Sequence, residues 1–348
     1  MLSYLTQFAL LFLLFLGTVA CTAQNEPISL TLMTHNSFDI SEAVIAQFEA
    51  QNNVEVTILP AGDAGTMINQ AILAKARPLA DVLYGVDNTF MGRALAADIF
   101  EPYQSPALET VPAGYILDPT YRLLPIDYGD VCLNYDKTWF TGRNLSLPQT
   151  LADLATPAYR GLLVVENPAT SSPGLAFLLA TIAAFGEEGY LDYWRQLRDN
   201  DLLVVNNWNE AYYNHFSAAG SGDRPLVVSY ASSPPAEVLF AAPPIAEPTT
   251  ASLTTPGTCF RQIEFAGILK GTLHRELAQK WLDFMLGDTF QADIPLKMFV
   301  FPVNPTVPLP DLFTAWAQIP AEPATLSPTV IDSGRDTWIR AWTETVLQ

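Results

Sequence analysis

The stretch Glu166-Asn167-Pro168-Ala169-Thr170-Ser171-Ser172-Pro173-Gly174 sets three successive hydroxyl side chains just ahead of a proline. The apolar run 162–165 before it reads as a buried strand. The run 175–185 after it, free of internal proline and glycine, reads as a buried helix. Pro173 suits a first helical turn. Free backbone N–H groups there attract anions, and Thr170, Ser171 and Ser172 add adjustable donors. The same residues also serve as an ordinary capped strand-to-helix turn. Other side chains with chemical reach fall at the ends of predicted strands, His35, Asp63 beside Ala64, Asp87, Trp208 and Tyr230, with Asp127 inside the strand near 123–135. The carboxylates offer counter-charge, and the aromatics offer flat faces for a ring or a cation.

Catalytic and metal patterns give little support to other chemistry. The three histidines are His35, His215 and His274, and neither HExxH nor CxxC occurs. Zinc sites need close clusters of His, Cys or carboxylate ligands. There is no P-loop pattern and no GxSxG elbow, and Ser229 has no base near it in sequence. No catalytic residue, resident metal or cofactor is expected, and an exported cleft hydrolase is the weakest reading.

The elements that position these residues follow from hydrophobic periodicity. Strands are predicted at 29–34, 54–59 and 80–84, with helices over roughly 40–51 and 66–76 between them; Asp39 and Glu42 form a capping-box-like start to the first helix. This β-α-β-α-β succession predicts a parallel sheet covered by helices, with a ligand beyond the carboxyl ends of the strands. A strand near 123–135 carries the chain out of this first unit. The α/β alternation resumes with strands at 162–165, 202–205 and 226–229 and a helix near 190–198. Residues 241–257, rich in Pro, Thr and Ala, read as a loop. A strand at 260–269 returns the chain, followed by helices at 276–286 and near 337–347. The division expected is residues 29–130 with 262–348 as lobe 1 and residues 131–261 as lobe 2. Paired crossovers between two lobes make a cleft that closes about a hinge.

Length and composition agree with two folded lobes. The chain has 348 residues, 49% of them hydrophobic, and a formal charge of −19. That charge argues against nucleic acid as a partner and against an anionic membrane face, and it is compatible with a cationic ligand. Residues 9–20, ALLFLLFLGTVA, form an uncharged apolar segment of signal-peptide length that ends in small residues before Cys21. Residues 1–20 are therefore expected to be a signal of lipoprotein type, Cys21 the acylated first residue, and 21–28 a tether. An ordinary cleaved signal shares the layout. On either reading the protein is exported, to the periplasm or the cell surface. Cys132 and Cys259 remain, to be read as a disulfide of an exported protein or as two free buried thiols.

The ordered set of strand-end motifs resembles a family. Asn36-Ser37-Phe38, Ala80-Asp81-Val82 with Gly85-Val86-Asp87-Asn88, and Pro125-Ile126-Asp127-Tyr128-Gly129 come first. Thr170-Ser171-Ser172-Pro173-Gly174-Leu175, Trp208-Asn209-Glu210-Ala211-Tyr212, Val228-Ser229-Tyr230 with Ser232-Ser233-Pro234, and Phe301-Pro302-Val303-Asn304 follow. In order and spacing, over roughly 29–345, they resemble the thiamine-binding proteins of bacterial ABC importers, relatives of the ferric-binding group. The resemblance implies an α/β, two-lobed type II periplasmic-binding fold. It also implies thiamine or a thiamine phosphate as ligand, and an ABC permease with its ATPase as partner. The family's pattern carries over at Asp63, Ser171, Trp208 and Tyr230. Trp208 and Tyr230 would face the thiazolium or the aminopyrimidine, an aspartate would supply counter-charge, and the 170–172 turn would hold the tail. A monomer tethered to the membrane through Cys21 is implied. The chain departs from the family in having His35 where the family has a tyrosine, and Ala236 near a second aromatic position; Phe240 or a loop residue is the expected substitute. Tyr212-Tyr213 resembles the phenolate pair of ferric-binding proteins, which keeps iron as the alternative ligand, although a helical setting favours packing.

Overall fold

The computed structural model describes residues 28–348. The expected signal, Cys21 and nearly all of the tether lie outside the described residues. One sheet of eleven strands runs through both lobes in the order β2-β1-β3-β10-β5-β8-β6-β7. These are β1 (Ile28–Thr34), β2 (Val54–Pro60), β3 (Val82–Asp87), β4 (Phe100–Glu101), β5 (Leu124–Asp136), β6 (Leu163–Glu166), β7 (Leu203–Val205), β8 (Leu226–Tyr230), β9 (Thr250–Leu253), β10 (Phe260–Leu269) and β11 (Phe301–Pro302). β4, β9 and β11 pair off the main path.

The first three strands are parallel, as the β-α-β-α-β pattern requires, and β6 is parallel to both β7 and β8. The two long strands β5 and β10 are antiparallel to each other and join the halves. β10 pairs with β3 on one side, while β5 pairs with β8 and β9 further along. Each crossover is thus one unbroken strand. β9 lies inside the segment expected to be a loop. Its Thr-Ala-Ser-Leu run is too short and polar to show alternation, but the edge of β5 offers it a ladder.

Local detail departs from expectation in two further places. In the first helix, Glu42–Asn52, the N-cap position falls on Ser41 and not on Asp39; the Ser41 hydroxyl donates to Asp293, and the Asp39 carboxylate pairs with Lys297 at 3.3 Å. The helices expected at 175–185 and 190–198 join end to end as Ser172–Asp199, with Gly186 at φ 72 breaking the helical geometry between them.

A first core packs Leu32, Phe48, Tyr84 and Ile126 beneath Trp281 and Phe290 of the helices Arg275–Leu286 and Asp288–Lys297. A larger one runs from Met67, Ile68 and Phe90 of the first lobe to Leu175, Leu179 and Trp194 of the second. The last helix, Pro328–Val346, does not stay with the first lobe as expected. It rests mainly on Ser172–Asp199, with Trp342 edge-on to Trp194 at 5.4 Å, and Arg335 reaches back over Phe90. The reason is the apolar stripe Ile331, Trp338, Trp342, which is buried mainly against the 172–199 helix.

Candidate functional site

The strand-end loops converge because backbone and side chain pin them together. Asn36 and Gly62 exchange hydrogen bonds, N–H to carbonyl at 3.0 Å and Gly62 N–H to the Asn36 side-chain oxygen at 3.0 Å. This draws His35 at the end of β1 toward Asp63 at the end of β2. Between the lobes opens a cavity of about 290 Å³. Of the residues expected at the site, His35, Asp63, Ala64, Ser172, Trp208 and Tyr230 line it. Ala236 and Phe240, one helical turn apart on the helix Pro234–Phe240, line it as well, as does the loop residue Phe299. Phe240 and Phe299 meet edge to face at 5.8 Å. An aromatic wall therefore stands beside Ala236.

Two glycines let aromatic rings lie on the sheet. A Cβ on Gly129 of β5 would come within 2.8 Å of the Tyr230 ring. Gly85, at φ 101 in β3, leaves the space that the His35 ring occupies. Tyr230 is further fixed by its hydroxyl, 3.1 Å from the Gln262 side-chain oxygen. Trp208 is held on three sides. Its indole N–H donates to Ser229 Oγ at 3.0 Å, its backbone N–H donates to Asp63 at 3.2 Å, and Tyr212 stacks on it at 4.9 Å.

Four expected residues lie behind the wall instead of in it. Thr170 donates its hydroxyl to the Asn206 carbonyl at 2.7 Å, which ties its turn to the loop after β7. Ser171 is fully buried beside Asp63, whose charge it favours. Asp87 accepts from Thr89 and from Ser172, the latter a bond that spans the lobes. Asp127 is buried beneath the cavity and accepts from the Tyr84 hydroxyl. Strand-end position tells which edge of the sheet a residue occupies, but not whether another element covers it.

Glu264 is the main residue that sequence reasoning missed. It sits in mid-strand on β10, in register with Asp87 of β3 and Asp127 of β5, and lines the cavity. Its carboxylate stands 3.5 Å from His35 Nε2 and accepts from the Tyr84 hydroxyl at 3.0 Å. Burial works against its charge, but His35, Tyr84 and Asp127 hold it below the usual glutamate range. Burial, then the charge of Glu264, pushes Asp127 well above the carboxylate range. Of these two adjoining carboxyls, Glu264 is therefore the one whose charged form the surroundings favour. Burial pulls the His35 pKa down, yet Glu264, with Asp63 and Asp87, raises it overall. His35 Nδ1 accepts the Ser37 N–H at 3.1 Å, which puts the proton on Nε2, facing Glu264. Burial raises Asp63, and raises Asp87 to about 6.

Ser37, Asn209, Tyr212, Tyr213, Ser233, Lys297 and Met298 also line the cavity, as do Asp39, Pro173 and Val300. Tyr212 and Tyr213 lie in one short helical segment, Glu210–His215, with Tyr212 buried and Tyr213 half in solvent. Burial raises both phenols above their ordinary range. Cys132 of β5 and Cys259, one residue before β10, are joined by a disulfide, with Cα atoms 4.3 Å apart.

Two α/β lobes on a shared sheet, joined by paired strands and closed over an aromatic and acidic cavity, define a ligand-binding protein of the two-lobed periplasmic class. The model of the bacterial extracellular solute-binding protein family matches residues 77–316, and the chain belongs to that family. It is 29% identical over 333 residues to the thiamine-binding periplasmic protein of Escherichia coli, covering 94% of this chain and 96% of that one. A solved periplasmic thiamin binding protein superposes with a TM-score of 0.82 at 28% identity, covering 92% of this chain and 96% of that structure. Iron-bound HitA from Pseudomonas aeruginosa shares the fold, with a TM-score of 0.75 at 20% identity over 91% of this chain and 99% of that one.

Proposed function

We propose that the protein captures thiamine or a thiamine phosphate outside the cytoplasm and delivers it to an ABC permease and its ATPase. The observation that carries this reading is the cavity's pairing of Trp208, Tyr230, Phe240 and Phe299 with the carboxylates of Asp63 and Glu264. Thiamine presents a permanently cationic thiazolium, a flat aminopyrimidine and a short hydroxyl or phosphate tail. The aromatic faces suit the rings and the cation, each contact contributing on the order of 0.5–2 kcal/mol. The ionised Glu264 supplies counter-charge and accepts from an amino group. Ala64 and Ser172, at the first turns of two helices, offer N–H and hydroxyl donors to the tail.

Binding proceeds by lobe closure without covalent chemistry, about a hinge in β5 and β10 near 130–131 and 261–262. The Asp63–Trp208 and Asp87–Ser172 bonds join residues on opposite lobes and belong to the closed state. A ligand that fits this state better than the open one shifts the balance toward it. The working unit is a monomer held at the membrane through Cys21.

The test is calorimetric titration of the ligand-free protein with thiamine, its monophosphate and its diphosphate. Sub-micromolar binding is expected with at least one of them, weakened about 10–30-fold in Trp208→Ala, the loss of a stacked cation–aromatic contact of about 2 kcal/mol. No heat with any of the three would overturn the ligand. The ferric alternative has the Tyr212–Tyr213 pair in the cavity wall in its favour. Raised phenols oppose it, since iron takes the phenolate. A visible absorption band on adding Fe(III), lost in Tyr212→Phe, would favour iron over thiamine.

A further inference from the structure

Tyr230 is held from both sides of the proposed hinge. Its backbone belongs to the second lobe. It pairs with Val131 between β8 and β5, and its carbonyl accepts from Asn134 Nδ2 and from the Ser233 N–H, both at 3.1 Å. Its hydroxyl instead donates to Gln262 Oε1, on the strand that returns to the first lobe. Gln262 is itself firmly placed. It lies in register with Gly129 of β5, on which the Tyr230 ring rests, and Asn88, the residue after β3, grips the strand around it. The Asn88 side chain donates to the Arg261 carbonyl and accepts from the Ile263 N–H, both at 3.1 Å. Gln262 is buried and shares a face of β10 with Glu264 two residues on. Its amide nitrogen has no hydrogen-bond partner among the described residues, so the Tyr230 hydroxyl is what its side chain serves.

Distance from the hinge decides which contacts survive opening, since the displacement of a rotating lobe grows with distance from its axis. Asp63, after β2, lies three strands from β10, roughly 14 Å at ordinary strand spacing. Trp208 follows β7, four strands from β10 on the other side. The bond between them separates early, whereas the Tyr230–Gln262 bond lies at the axis and moves least. We infer that Gln262 is a positioning residue: it keeps the Tyr230 ring seated on Gly129 beside Glu264 while the lobes are apart, so that these two form the surface on which the ligand's cationic ring system first lands. Trp208 arrives afterwards with the second lobe, as its backbone N–H reaches Asp63. Gln262 lies behind the cavity lining and acts through the ring alone. The inference deepens the thiamine reading and rests on it.

The experiment is stopped-flow tryptophan fluorescence with thiamine on the native protein, Gln262→Met, Tyr230→Phe and the double variant. Association is expected to slow about fivefold in each single variant, the loss of one hydrogen bond, with dissociation changed by less than about twofold. The double variant is expected to be no slower than either single one, because both remove the same bond. Should Gln262→Met fail to fold, Tyr230→Phe reads that bond from its other end. A second measurement needs no ligand. In protein labelled with 3-fluorotyrosine, the fluorine resonance that Tyr230→Phe abolishes is expected to shift in Gln262→Met. An unmoved resonance, an unchanged association rate, or a double variant slowed by the product of the two single effects would each overturn the inference. If the native protein takes up no thiamine form, the ligand reading falls, and the fluorine resonance alone decides whether Gln262 seats the ring.

Discussion

Glu264 shows how one buried carboxylate sets the charge of a whole site. Glu264 pushes the pKa of Asp127, beneath the cavity, upward, and the Ser37 N–H on His35 Nδ1 leaves Nε2 facing Glu264. Nothing in the run Phe260-Arg261-Gln262-Ile263-Glu264-Phe265 marks this carboxylate as different from a solvent-facing strand residue. Its role depends on β3 and β5 arriving on either side of it, which no local pattern encodes. Phe240 was more legible, since an aromatic was missing at Ala236 and the next helical turn could supply one. In Phe240→Ala, affinity for the preferred thiamine form should fall about tenfold by calorimetry, the loss of one aromatic face. Asp87 gives a pH dependence. Its folded pKa lies near 6, above the ordinary aspartate value, so the folded state holds a proton that the unfolded chain releases. Stability should therefore fall as pH rises from about 4 to about 6, by on the order of 2–3 kcal/mol, and then level off. Thermal melts across that range should show the decline in the native protein and a flatter profile in Asp87→Asn.

Among the elements, those with an apolar period or a clear apolar run were readable. β10 matches its predicted span of 260–269, and β6, β7 and β8 match theirs to within a residue. β9 was not readable, because Thr250-Ala251-Ser252-Leu253 becomes a strand only through the free edge of β5. The hydroxyl turn at 170–172 was correctly placed between strand and helix, but only Ser172 reaches the cavity. Thr170 is spent on tying the turn ahead of the helix to the loop after β7. The crossing strand β5 contributes Gly129, whose missing side chain is the seat of the Tyr230 ring. Gly129→Ala should displace that ring, cost about 1–3 kcal/mol of stability through overpacking, and weaken ligand binding as well. Urea unfolding and titration of the same variant measure the two effects separately. A change in stability with full binding would mean that the ring had found another seat.

At the scale of the whole molecule, the two lobes share one sheet, one apolar core that crosses between them, and a final helix that Trp342 fastens to the second lobe. The alternation of strands and helices was enough to read two lobes and a double crossover. Where the last helix docks was not, because its stripe fits any apolar partner until the fold offers one. The disulfide closes a sequence separation of 127 residues. Its removal in Cys132→Ala/Cys259→Ala should lower stability by about 4–5 kcal/mol if the chain-entropy account holds, read as the shift in urea midpoint. The same bridge joins the chain at the two crossing strands, just on the second-lobe side of the hinge proposed near 130–131 and 261–262. On the other side, β10 loses regular register with both neighbours, skipping Ile126 after Glu264 and Gly85 after Phe265. In mechanical terms the bridge makes the two strands a single torsion bar, clamped at one end and notched at the other. Glu264 stands at the notch, so a carboxylate that lines the cavity lies beside the proposed hinge, and a contact made there would act on the lever itself.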